Sequence, residues 1–130
     1  MKKIMLIAIA IIVFVSLVVG LWTWSSAAES KEAVATPVTT DKILFYGKEC
    51  PHCHDVEKFI EDNKITEKVR FDSLEVWHND ANKKFFLEKI KECGIAEEKA
   101  GVPMLYARGE CLIGTPDIEG FFRQEAGIQD

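Results

Sequence analysis

From Ile4 to Ala28 the chain carries no charged residue, and 18 of the 21 positions from Ile4 to Trp24 are apolar. Such a stretch has no polar face, so it does not suit the surface helix of a soluble core. Its most apolar part, Ile4–Leu21, extends about 27 Å as a helix, close to the hydrocarbon thickness of a bilayer. Trp22 and Trp24 follow, where indole rings favour the membrane interface, and Lys2 and Lys3 precede it, which favours an inside N-terminus. The residues predict a signal anchor over 1–24. The small residues Ser25–Ala28 keep open a cleaved signal peptide instead. Either reading exports the rest of the chain. The expected location is therefore membrane-anchored with the C-terminal domain outside the cytoplasm, or secreted if the signal is cut.

That partition limits what can fold. Residues 25–40 are small and polar, with Pro37 as a breaker, and read as a flexible linker. Residues 41–130 remain, enough for one small domain with a core of its own. With 48% apolar residues the chain is not dominantly disordered. The net charge is −5, and residues 1–28 hold two lysines and no acid, which leaves −7 for the remainder. An acidic domain without a dense Lys/Arg run argues against nucleic-acid binding.

Within the domain, Ile43–Tyr46 is a short apolar run ended by Gly47, as in a buried strand. From Cys50 the period changes: Cys53, Val56, Phe59 and Ile60 recur at three and four, predicting a helix to about Asn63. Val69–Val76 alternates as a second strand. Asn79 or Asp80 is placed to cap a second helix carrying Phe85, Phe86, Ile90 and Cys93 and ending at Gly94. Val102–Ala107, a turn at Arg108-Gly109-Glu110, and Cys111–Ile113 read as a hairpin. Thr115-Pro116-Asp117 reads as a helix start with a capping hydroxyl, and Ile118, Phe121 and Phe122 give that helix its apolar face. The order β-α-β-α-β-β-α predicts an α/β fold with a mixed four-stranded sheet and helices on both faces.

The chemistry concentrates at Cys50-Pro51-His52-Cys53, where a buried strand hands over to a helix. Disulfide exchange needs a thiolate, and free amides at a helix start favour one at Cys50. Cys53 follows on the same face, near enough to close a disulfide. His52 is placed to add a donor or a positive charge near the Cys50 sulfur, and with Pro51 to tune the couple. A structural disulfide or a pair of buried thiols is the plainer alternative.

The run Phe45–Cys53, then Gly101-Val102-Pro103, then Gly114-Thr115-Pro116-Asp117 resembles the thioredoxin superfamily, most closely its minimal glutaredoxin-like branch. The resemblance spans about Lys42–Phe122. It implies a glutaredoxin-type thioredoxin-like fold and thiol–disulfide oxidoreductase activity on protein or small-thiol substrates. It implies Cys50 and Cys53 as the catalytic pair and a cis-proline at Pro103 facing them. It assigns Val102, Pro103, Thr115 and Asp117 to substrate binding. The Cys-Pro-His-Cys pair looks like the strongly oxidising DsbA-type proteins. The sequence differs from thioredoxins in Leu44, where they hold a buried Asp, and in Glu49, where they hold a tryptophan. Glutaredoxins carry two glycines before the last helix, where this chain has Ile113 and Gly114.

No flavin or nucleotide fingerprint is present, so no cofactor is expected and redox equivalents would come from a separate partner protein or a small thiol. Two alternatives use the same cysteines. Cys50-x-x-Cys53-His54 matches a c-type haem attachment pattern, with Met104 as an axial candidate. A metal carrier would draw on His52, His54 or His78, but no second Cys-x-x-Cys completes a closed site and no metal is expected. Cys93 and Cys111 stand apart as buried thiols, a structural disulfide or a second redox pair.

Overall fold

The computed structural model describes residues 2–3, 6, 11, 13–16 and 37–129. The chain divides into two units, Met1–Glu32 and Ala33–Asp130. In the first, the described residues are helical, and Leu6, Ile11, Val13, Phe14 and Val15 are exposed. Among the described residues no helix is long and apolar enough to cross a membrane. Most of residues 4–24, on which the anchor expectation falls, lie outside the described residues.

The second unit is built on strand β1 (Lys42–Tyr46), whose Ile43, Leu44 and Phe45 are all buried. An uninterrupted apolar run suits a strand covered on both faces. β1 pairs in parallel with β2 (Asp72–Glu75) and antiparallel with β3 (Met104–Ala107), which pairs antiparallel with β4 (Glu110–Ile113). The sheet order is β2-β1-β3-β4.

Alternation along the strands divides the core. On one face Leu44 and Leu105 pack with Val56, Phe59 and Ile60 of α1 (Pro51–Asp62), Ile65 of the short α2 (Ile65–Lys68), and Ile118 and Phe122 of α4 (Thr115–Ala126). On the other face Ile43, Phe45, Met104 and Tyr106 pack with Phe86 and Ile90 of α3 (Asp80–Glu92). Phe45 meets Phe85 and Phe86 edge to face at 6.0 and 5.3 Å. The mixed four-stranded sheet with helices on both faces is as the sequence predicts.

Element ends differ from the expected ones for identifiable reasons. β2 starts at Asp72 rather than Val69, because the Val69 amide is spent on Ile65 O at 2.8 Å and ends α2. β3 starts at Met104 rather than Val102, and Pro103, with no amide, gives only its carbonyl, to Gly114 N at 3.0 Å. Asn79 caps α3, its side chain accepting from Asn82 N. Thr115 is not the cap of α4: Gly114, at φ +94°, holds that position, and the Thr115 hydroxyl donates to His52 O at 3.3 Å instead. Two short elements escape the periodicity, α2 and a 3-10 turn at Glu97–Lys99.

The domain is fastened at two further places. Asp72 accepts from the backbone amides of Thr39 and Thr40 at 2.7 and 2.8 Å, and from both hydroxyls. Cys93, at the C-cap of α3, is disulfide-bonded to Cys111 on β4.

Candidate active site

Cys50 is the N-cap of α1, with extended backbone angles. Pro51 fills the first helical position, where a missing amide costs nothing. The preceding loop is tight, with Cys50 N donating to Gly47 O at 3.1 Å. This places the sulfur of Cys50 over the open end of the helix. The Cys53 amide donates to it at 3.3 Å, and the Cys50 thiol reaches the Val102 carbonyl at 3.7 Å. Cys50 is 4% exposed, Cys53 1%, and both are free thiols.

Burial pushes the Cys53 thiol up to about 12, helped by its side-chain hydrogen bond with Cys50 and by the negative charges of Cys50 and Glu57. Cys53 thus holds its proton at neutral pH. The outer cysteine, not Cys53, is the one placed to start an exchange.

The Val102–Pro103 peptide bond is cis, and it lies beside the pair through the Val102 carbonyl. Next to it runs an open, mainly apolar groove lined by His52, Val102, Pro103, Ile113, Thr115 and Pro116, with Asp55 the carboxylate at its rim. Val102, Pro103 and Thr115 thus line one groove with His52, and Cys50 meets it through the Val102 carbonyl. Asp117, exposed in the first turn of α4, does not line the groove. The His52 ring is 78% exposed, with Nδ1 3.7 Å from Asp55 Oδ2.

On the other side of Cys50 the structure adds residues that carried no motif. Glu75 accepts from the amides of Trp77 and His78 at 2.8 Å each and from Lys48 N at 3.4 Å. Burial pushes its carboxyl up, but these amides outweigh burial and hold it below the usual range. The turn so made lays Trp77 against Gly47, where an added Cβ would come within 2.4 Å of the indole. It also brings His78 Nε2 to 2.8 Å from Glu49 Oε2. That hydrogen bond is the main reason the His78 pKa is raised and the Glu49 pKa lowered. A hint for Trp77 existed only in Gly47 following a buried strand, and none existed for the Glu49–His78 pair.

The haem ligands do not meet. His54 lies exposed on α1, its Nδ1 3.1 Å from Glu57, on the sheet face that α1 covers. Met104 is fully buried on the opposite face with α3. Among the described residues no group of three or more His, Cys, Asp or Glu is placed to hold a metal.

No family model matches the sequence, and no curated protein does. Among solved structures, a variant of the thioredoxin-like protein BC3987 is 20% identical, covering 70% of this chain and 100% of its own, with a TM-score of 0.50. The buckwheat glutaredoxin–glutathione complex is 15% identical over 67% of this chain and 70% of its own, at 0.45. Oxidised glutaredoxin 2 from Chlamydomonas reinhardtii is 18% identical over 68% and 84%, at 0.46. At these identities the likeness is one of fold, and the first of them makes the fold thioredoxin-like.

Proposed function

We propose that the chain is an extracytoplasmic thiol–disulfide oxidoreductase working through Cys50 and Cys53. The observation that carries this is their arrangement: two free thiols at one helix start, one held protonated and the other reaching the carbonyl of Val102, which together with Pro103 lines an open groove. A structural pair would have no use for the groove.

The exchange runs in two steps. With the pair oxidised, a substrate thiolate attacks Cys50 Sγ, breaking the Cys50–Cys53 bond; the departing Cys53 sulfur takes a proton, which its high pKa favours. A second substrate thiolate attacks the substrate sulfur of the mixed disulfide, and Cys50 leaves. Two substrate thiols become one disulfide, and the two electrons reside on the dithiol until the disulfide of a partner protein or of an oxidised small thiol takes them and is itself reduced to two thiols. Starting from the dithiol, Cys50 attacks a substrate disulfide and Cys53 resolves, moving the same two electrons the other way. The groove receives the chain flanking the substrate sulfur.

Cys50→Ser is expected to abolish exchange, and Cys53→Ser to accumulate mixed disulfides visible on a non-reducing gel. Normal turnover by Cys50→Ser would refute the assignment. The direction of flow is read from the reduction potential of the couple against glutathione buffers: near about −120 mV the protein donates disulfides, near about −270 mV it reduces them.

The extracytoplasmic part rests on the apolar, charge-free run ahead of Glu29 and the lysines before it. Cell fractionation tests it. The full chain is expected in the membrane fraction and a chain lacking residues 4–24 is not. Equal distribution of the two would remove the anchor from the reading.

A further inference from the structure

The Cys93–Cys111 disulfide lies outside the active site, yet it closes a loop that ends against it. The 18-residue separation between these cysteines includes Val102, whose carbonyl meets the Cys50 thiol at 3.7 Å, and Pro103 after it. Between the C-cap of α3 and the start of β3 the chain has one 3-10 turn and otherwise irregular backbone. Its amides bond locally, Ile95 N to Ile90 O, Lys99 N to Ala96 O and Ala100 N to Glu97 O. Its apolar side chains Ile95, Ala100 and Val102 are only half-buried against the α3-side core. The disulfide thus fixes one end of a sparsely packed segment whose other end is the wall of the active site. Cys93 and Cys111 are themselves half-buried, within reach of a small dithiol.

We propose that Cys93–Cys111 is a second redox site of this chain, a staple whose reduction loosens the Val102–Pro103 wall and uncovers Cys50. The sulfur–sulfur bond breaks as a dithiol supplies two electrons and two protons and closes to its own disulfide. Cys93 and Cys111 become thiols, and the segment 94–103 loses its covalent tie to β4. The proposal deepens the reading of Cys50 as the attacking sulfur, but its test reads that sulfur directly and needs no turnover.

The full chain is compared with a Cys93→Ser/Cys111→Ser variant, each with only the Cys50–Cys53 pair reduced. The readout is the rate of iodoacetamide alkylation at Cys50, located by peptide mass, where circular dichroism shows both folded. A several-fold faster rate in the variant is expected. An unchanged or slower rate overturns the proposal. Should the variant not fold, hydrogen exchange on the wild-type chain decides it, comparing the protein with one pair reduced against both pairs reduced by dithiothreitol. Protection is expected to fall at Ala100 and Gly114 while the β1 amides keep theirs. Equal protection in the two states, or loss across the whole sheet at once, overturns it, since the second would mark a purely global staple. Failure of Cys50→Ser to stop turnover would strike the function alone and leave these readouts standing.

Discussion

At Glu49 and His78 a single exposed ion pair ties the loop before Cys50 to the loop after β2, and its pH dependence follows from the two shifts. The His78 pKa is raised above 6.5, so that part of the stabilisation is present below 6.5 and is lost as pH rises through the folded value. The Glu49 pKa is lowered below 4.5, so its part is present above 4.5 and is lost as pH falls through the folded value. The pair therefore holds across the interval between. In an NMR titration the His78 ring is expected to titrate above 6.5, and Glu49→Gln to bring it down. Gly47 gives a second test. Gly47→Ala puts a methyl group into the Trp77 ring, so it should shift the tryptophan emission and cost about 1–3 kcal/mol in urea unfolding. Adding Trp77→Ala should restore most of that stability. Neither feature was legible from spacing, because both join residues about thirty apart through a turn organised by one carboxylate, Glu75. The cysteine pair was legible, since strand, proline and helix period all converge on Cys50.

The elements with a repeating apolar face were the ones the sequence disclosed. α1 buries residues three and four apart, α3 and α4 bury residues four apart, and β1 is a continuous apolar run. α2 was not legible because four residues give no period, and one buried side chain, Ile65, holds it to the core. The helix starts at Thr115 as the sequence predicts, but its cap is Gly114, at φ +94°, and the Thr115 hydroxyl donates to His52 O of α1 instead of capping. Two elements yield stability tests. Phe122, fully buried on α4 and 4.9 Å from the Phe71 ring, is expected to cost about 3–5 kcal/mol on replacement by alanine, measured by chemical denaturation. Loss of the Cys93–Cys111 bond should cost about 3 kcal/mol by the loop-entropy relation for a loop of this length. The pairing itself could not be read from the spacing of the two cysteines, because α3 and the edge strand meet only in the folded sheet.

For the molecule as a whole, the division into an apolar N-terminal stretch and an acidic remainder comes from charge and hydropathy, and the domain's architecture from the order of its periods. The site emerges from topology: β1 delivers Cys50 at its end, β3 begins beside it, and the hairpin returns the chain to Gly114 and Thr115. Asp72 adds one more consequence. It clasps the amides of Thr39 and Thr40 just where the chain enters β1. Tension on the segment ahead of residue 37 therefore meets two charge-assisted hydrogen bonds to β2 before it can peel β1 out of the centre of the sheet. The strand that leads to Cys50 is thus held at its entry by the neighbouring strand as well as by its own ladder.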